Sequence, residues 1–420
     1  MTRPPIRVLH FADAHIGIET HGRIDPATGM NTRLLDFLHR LDDIIAFVQE
    51  HGVDLIIFAG DAFKTRTPTP TQQREFAFRM RDLSALAPVI LLEGNHDLPQ
   101  QDRKASSVEI YDTLRVPNVM LANTFELHVV ETARGPVAVG CAPYPVRQRL
   151  MDGAATAGLS IAQIDQMVQH NLGMRLEELA EEADAVGPEV PRLLTGHFTV
   201  QGAVTGSERQ IMLGRDIEVP LSVLADARWD YVALGHIHKH QNLTHGRPGT
   251  PPVVYSGSFE RIDFGEEADT KGFCMVELAR NATTWAFHQV DARPFVTLNA
   301  DLRESETPTA EMVDQIERTN VRDAVVRIQV RLTPESAALF DEGSVRDALK
   351  RGGAHVIASL KPDIERTQRA RLGTSPEQLS DQDLLERHLL AREFDEGTRQ
   401  ALHTLADAIF AARFDQKTGE

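Results

Sequence analysis

Cysteine is scarce in this chain, with only Cys141 and Cys274 among 420 residues. Both sit in apolar surroundings and read as buried free thiols, which excludes a disulfide framework and a cysteine-based metal site. Long hydrophobic runs are missing as well, and none approaches the roughly 18 residues that a membrane-spanning helix needs. A strand-like run begins already at Arg7, leaving no room for a leader peptide, so a cytoplasmic protein is expected. Basic residues are in deficit: 44 Lys and Arg against 61 Asp and Glu give a formal charge of −17. This balance argues against a general, non-specific binder of nucleic acid, although attraction depends on patches rather than totals. One local excess, formed by Lys64, Arg66, Arg74, Arg79 and Arg81, is either such a patch or a solvated helix face.

What is present is ordinary in bulk, with 42% hydrophobic and 25% charged residues. Its order is more informative. From residue 6 to about 290, apolar strand-like runs alternate with helical patterns, the mark of a layered α/β domain. Helices are expected over residues 34–50, over 71–87 (stopping before Pro88) and, as one or two segments, over 161–185. Residues 253–258 and 272–278 read as paired strands that close the sheet. At Ala292-Arg293-Pro294 the character changes to a small α+β module, with a helix start signalled by Thr333-Pro334. From about Ser375 two short amphipathic helices follow, capped by Ser380 and Thr398 and too small to fold alone. The expected domains are therefore 1–292, 293–374 and 375–420.

Five polar clusters fall where strands should end: Asp13-Ala14-His15, Gly60-Asp61, Gly94-Asn95-His96-Asp97, Gly196-His197 and Gly235-His236-Ile237-His238. Asp13-x-His15, Gly60-Asp61 and Gly196-His197 are weak alone, because such residues commonly make turns, whereas Gly94-Asn95-His96-Asp97 and Gly235-His236-x-His238 after a strand are more specific. Together they bring carboxylates, an amide oxygen and imidazoles to the rim of one predicted sheet. That donor set suits two divalent ions about 3.5–4 Å apart, and such a pair serves in-line hydrolysis of phosphate esters. Asp61 is the candidate bridge because a carboxylate has two oxygens. Asp13 and His15 can face one ion from a turn, Asn95 offers a neutral oxygen, and His236 and His238 can serve one ion each.

In this order the five clusters resemble the motifs of the calcineurin-like metallophosphoesterases. In detail the chain resembles the SbcD-type DNA double-strand-break repair nucleases of that superfamily. Gly94-Asn95-His96-Asp97 replaces the Asn-His-Glu of the protein Ser/Thr phosphatases, and their Asp-Arg-Gly after the second motif is absent. The segment from Tyr255 through Ser256-Gly257-Ser258-Phe259-Glu260-Arg261 to Glu266 is very like the one that follows the last His motif in SbcD-type chains. The resemblance covers residues 6–280 well and the remainder in outline. It implies an α/β fold, a four-layer metallophosphoesterase β-sandwich flanked by helices, with a small α+β capping domain and a helical C-terminal tail.

Carried over residue by residue, the resemblance implies that Asp13, His15, Asp61 and His238 hold one metal. Asp61, Asn95, His197 and His236 hold the other. His96 is the implied catalytic histidine, with Asp97 either orienting it or capping a loop. The implied cofactor is a manganese pair, with magnesium as the alternative. At position 64 the family usually presents Asp or His; Lys64 departs from this and is assigned to substrate phosphate together with Arg66. Phe63 and residues 65–71 would form a substrate-facing loop.

The function so implied is a manganese-dependent DNA exonuclease and endonuclease of double-strand-break repair. The implied partners are DNA, an SbcC-like ATPase bound through residues 375–420, and a second copy of the chain in a homodimer; no membrane is involved. Two other classes compete. One is a small-nucleotide phosphodiesterase or phosphomonoesterase, disfavoured by the extra module and tail. The other is a non-catalytic scaffold, disfavoured because every ligand position is filled.

Overall fold

The computed structural model describes residues 4–99, 104–151, 159–206, 217–365, 380–391 and 396–415. The remaining parts of the expected tail, 375–379, 392–395 and 416–420, lie outside the described residues. In chain order the strands are β1 (Ile6–Phe11), β2 (Leu55–Phe58), β3 (Val89–Leu92), β4 (Val119–Ala122), β5 (Glu126–Thr132), β6 (Gly135–Ala142) and β7 (Arg192–His197). They continue with β8 (Thr199–Val200), β9 (Glu218–Val219), β10 (Tyr231–Gly235), β11 (Gln241–Asn242), β12 (Val253–Tyr255), β13 (Gly272–Leu278) and β14 (Thr284–Gln289). Two six-stranded sheets result, ordered β14-β13-β1-β2-β3-β4 and β11-β12-β10-β7-β6-β5.

The clusters therefore do not share one sheet, as the sequence suggested. Three come from the first sheet and two from the second. The expected pairing of residues 253–258 with 272–278 also fails, because β12 pairs with β10 and β11 while β13 pairs antiparallel with β1 and β14. Short apolar runs reveal that a strand exists but not its non-local partner.

Alternation along β1 explains the layering. Leu9 and Phe11 face a helix-covered core, whereas Ile6, Val8 and Ala12 face a core shared with Val139, Leu193, Tyr231 and Ala233 of the second sheet. The outer face of the first sheet is covered by helices Thr32–His51 and Pro70–Ser84, through Phe37, Leu41, Ile44, Phe76 and Met80. Asn31 caps the first of these helices, and a Thr69–Gln72 capping box with Pro70 starts the second. On the other side, Ile161–Val186 forms one helix whose Val168, Leu172, Leu176 and Leu179 cover the second sheet. This is the expected four-layer α/β order of helix, sheet, sheet, helix.

Further along are β15 (Phe295–Asp301), β16 (Val325–Leu332) and β17 (Val356–Ile364), which form a three-stranded sheet in that order. Thr333 caps Pro334–Ala338 as the sequence indicates. The tail helices span Asp381–Ala391 and Glu396–Asp415, the first capped by Ser380, whose hydroxyl accepts from the Asp383 N–H. Thr398 is not a cap: it lies inside the second helix, which starts at Glu396. Gly397 fits there because first-turn N–H groups need no intrahelical partner. By compactness the chain divides into two units, residues 1–299 with 311–329 and 341–361, and residues 300–310 with 330–340 and 362–420. Among the described residues no helix is long and apolar enough to cross a membrane.

Cys141 and Cys274 are buried free thiols in the core between the two sheets. Beside them His10 is fully buried, its Nδ1 3.1 Å from the Tyr231 hydroxyl and its Nε2 3.2 Å from the Leu234 carbonyl. Burial drives its pKa down to about 3, only partly opposed by the hydrogen bond to Leu234. His10 is therefore neutral in the folded protein and titrates normally when unfolded. The unfolded state binds the extra proton, so stability falls as pH drops from about 6.5 toward 3, by up to about 1.4 kcal/mol per pH unit from this residue. Urea midpoints should fall across that window in wild type and less steeply in His10→Gln; identical slopes would show that His10 does not contribute.

Candidate metal centre

Every candidate ligand sits at or just past the C-terminal end of a strand. Asp13 and His15 follow β1, Asp61 follows β2, Asn95 follows β3, His197 ends β7, and His236 and His238 follow β10. The chain turns abruptly there. Asp13, His15, Asp61 and His236 adopt φ values of 56°, 39°, 61° and 91°, a left-handed region that non-glycine residues enter at a cost and that clusters at functional sites. The preceding glycines permit the crowding. A Cβ on Gly94 would stand 2.2 Å from Asp61 Oδ1, and one on Gly60 would stand 2.3 Å from His197 Nδ1.

The structure brings all seven predicted ligands together. The Nε2 atoms of His15 and His238 lie 3.0 Å apart. Asp61 Oδ2 lies 3.6 Å from His15 Nε2 and 3.3 Å from His197 Nε2, between the two groups as a bridge requires. Asn95 Oδ1 stands 3.1 Å from His197 Nε2 and 3.0 Å from His236 Nδ1. Asp13 accepts the His236 N–H at 3.0 Å, and donor atoms of Asp13, His15 and His238 form one compact trio. Asp13, Asp61 and His197 form another. All of these except Asn95 are buried, with exposures of 6% or less.

Electrostatics follow from packing two carboxylates among imidazoles in a buried site. Burial raises the pKa of Asp13, opposed by His238 and His197 and reinforced by the charge of Asp61. Burial would raise Asp61 too, but His197, His96 and His15 hold it well below the ordinary carboxylate range. His15 is held well below the normal imidazole value by burial, against the pull of Asp61 and with help from His238, His96 and Lys64. His197 is pushed down by burial, yet Asp61 and Asp13 outweigh that and carry it to about 9.

The outer contacts fix which nitrogens face inward. His197 Nδ1 donates to the Ala59 carbonyl at 2.7 Å, and His238 Nδ1 meets Glu266 Oε1 at 2.8 Å, so each turns Nε2 toward the centre. His15 Nδ1 is buried without a hydrogen-bond partner among the described residues. Oxygen and imidazole donors in this arrangement fit a pair of divalent cations.

His96 stands beside this group, half-buried, its ring 4.9 Å from that of His15 and its Nδ1 2.8 Å from the Lys64 carbonyl. Asp97 does not orient it. The Asp97 carboxylate instead accepts the backbone N–H groups of Asp61 (3.1 Å), Ala62 (3.1 Å), Phe63 (3.3 Å) and Gly94 (3.1 Å). Burial, with the charge of Asp61, raises its pKa to about 7 against those same hydrogen bonds. Of the two roles the sequence left open, Asp97 is thus the cap of the Asp61 loop, and the role of orienting the catalytic His96 is corrected.

Of the two readings of the basic cluster, the helix face is the one supported: Arg74 pairs with Glu75, Arg79 with Asp42 and Glu75, and Arg81 with Asp82. Lys64 and Arg66 remain near the site. Lys64 bears on His15 electrostatically, and Arg66 lines a cavity of about 340 Å³ with Leu98, Pro99, Tyr144 and Arg147. Phe63, expected to face substrate, is buried in the helix-covered core. Sequence reasoning missed Tyr144, whose ring lies 5.9 Å from that of His236, although its place just past β6 in the second sheet was a usable signal. It also missed Glu266 and Lys271, for which no spacing rule exists.

A family model described as calcineurin-like phosphoesterase matches residues 6–240, more than half the chain. The chain belongs to this family. The phosphoesterase is also similar to two curated proteins, each named as the D component of the nuclease SbcCD. One, from Bacillus subtilis, is 29% identical over 281 residues, covering 65% of this chain and 66% of the relative. Another, from Rhodobacter capsulatus, is 28% identical over 300 residues, covering 66% of this chain and 67% of the relative. The chain thus spans about two thirds of the length of these relatives. Among solved structures, a dimetal phosphatase from Danio rerio is 12% identical, covering 68% of this chain and 96% of that one with a TM-score of 0.41. The resemblance drawn from the five clusters is borne out by the family match and the two relatives. In this phosphoesterase the matched segment contains every predicted ligand.

If Asp97 is the cap, Asp97→Ala strands several buried N–H donors. The expected cost is about 3 kcal/mol or more in urea unfolding, with Asp97→Asn losing about half as much. Wild-type stability in Asp97→Ala would refute the assignment.

Proposed function

We propose that this phosphoesterase is a manganese-dependent DNA nuclease acting in double-strand-break repair with an SbcC-like ATPase. The observation that carries the reading is the cluster of seven oxygen- and nitrogen-bearing residues, all but Asn95 buried, with the half-buried His96 at its side. Asp13, His15, Asp61 and His238 would hold one cation, and Asp61, Asn95, His197 and His236 the other. When bound, such a pair supplies Lewis-acid activation for in-line hydrolysis of a phosphodiester. The chain's own residues do the rest. His96, whose Nδ1 proton goes to the Lys64 carbonyl, acts as the imidazolium and gives its second proton, from Nε2, to the leaving sugar oxygen. Lys64 and Arg66 bind non-bridging phosphoryl oxygens as charge develops. DNA as the substrate is supported by the likeness to the two SbcCD nuclease components.

Digestion of linear duplex DNA, hairpin DNA and a chromogenic phosphodiester with added manganese tests this reading. Wild type should cut DNA, and His96→Ala should lose about 10²–10⁴-fold in rate with its metal content unchanged. Activity on the small ester alone, even with the ATPase and ATP present, would sink the nuclease reading in favour of a small-nucleotide phosphodiesterase.

Residues 293–374 are proposed as a capping module and residues 375–420 as the ATPase-binding tail, within a cytoplasmic homodimer. The two tail helices contact one another, with Gln382 donating to Asp407 at 2.8 Å and Arg399 pairing with Glu386 at 3.4 Å. They thus form one folded element that a partner can grip. Deleting residues 376–420 should abolish co-purification with the ATPase and leave manganese binding intact. Retained co-purification would exclude the tail as the binding element.

A further inference from the structure

We infer that Glu266 and Lys271 are positioning residues for His238 and set how tightly the Asp13–His15–His238 side of the centre holds its cation. The inference rests on the metal-site reading above and adds to it two residues outside the matched segment.

Glu266 is fully buried, and Lys271 is 1% exposed. Glu266 Oε1 lies 2.8 Å from His238 Nδ1, and its Oε2 lies 2.8 Å from Lys271 Nζ and accepts the Ile262 N–H at 2.9 Å. Lys271 Nζ donates in turn to the His238 carbonyl at 3.1 Å and to Ser258 Oγ at 2.9 Å. The Ser258 N–H reaches that same carbonyl at 3.1 Å. Side chain and main chain of His238 are therefore held from one buried ion pair. Gly257 presses against the same point, where a Cβ would stand 2.7 Å from the His238 carbonyl oxygen.

The other three candidate imidazoles are held differently among the described residues. His197 gives Nδ1 to a backbone carbonyl, His236 directs Nδ1 toward Asn95, and His15 Nδ1 has no hydrogen-bond partner. At His238 the nitrogen turned away from the centre meets a carboxylate. A carboxylate accepting the outer N–H of a ligating histidine fixes its tautomer and raises its basicity, and losing it typically costs about 10–100-fold in metal affinity. Lys271 makes this arrangement tolerable. Without it a buried carboxylate would lose its counter-charge, and breaking one half of a buried pair is far more damaging than replacing both.

The full chain titrated with Mn²⁺, with free ion read by electron paramagnetic resonance, tests this. Wild type should bind two ions. Glu266→Gln should weaken one site by about 10–100-fold and leave the other unchanged. Lys271→Met should lower the thermal midpoint, and the double variant E266Q/K271M should recover the midpoint while keeping the weakened site. That combination separates positioning from mere fold support. A double variant that folds and holds both ions as tightly as wild type would overturn the inference. His238→Ala is the control: it should lose one site, and two wild-type sites in that variant would defeat the metal-site reading itself.

Discussion

The centre exists because two sheets touch at the ends of β2 and β10. A Cβ on Gly235 would fall 2.1 Å from the Ala59 carbonyl oxygen and 2.9 Å from the Ala12 side chain, so nothing larger than hydrogen fits between them. At that contact His197, from the second sheet, gives its Nδ1 proton to Ala59 of the first. Asp13 of the first sheet accepts the His236 N–H of the second at 3.0 Å. Neither sheet alone holds a complete set of donors. The apolar core between them, built from Val8, Ile57, Val139 and Ala233, fixes the spacing on which every donor distance depends.

Given that spacing, the charge pattern is nearly forced. Two buried carboxylates and a ring of imidazoles compensate one another only in part, which is why burial and neighbours pull Asp13 and Asp61 in opposite directions. Buried charge persists only when paired or when it coordinates a cation. The outer layer follows the same logic. Asp97 gathers four backbone N–H groups to hold the Asp61 loop, and Glu266 is neutralised by Lys271. These polar groups around the centre thus support either a ligand or the turn that carries one.

Much of this was legible in the sequence. The ligands could be read because a polar cluster after an apolar run marks a strand end, and glycine beside it marks crowding. The helices could be read from their period and caps, as at Thr333 and Ser380. Two things resisted. Sheet membership failed because β1 takes its partners from residues 55–58 and 272–278, and no local pattern encodes so distant a choice. The role of Asp97 stayed open because it adjoins His96 in sequence, while the two side chains leave the backbone toward different partners: Asp97 the Asp61 loop, His96 the Lys64 carbonyl. Glu266 was visible only as part of a familiar-looking segment, since its meeting with His238 depends on the turn between them.

The antiparallel pairing of β1 with β13 carries a consequence for how the chain is made. Ile6 pairs with Leu278 and His10 with Cys274, so one side of β1 has no neighbour until residues past Gly272 have been synthesised. Pairing with β2 is available early, but the flank that β13 covers must wait. Closing so long a loop is slow, and an unpaired strand edge invites association with other chains in the interval. The strand that carries the chain toward Asp13 and His15 is therefore made early and protected late.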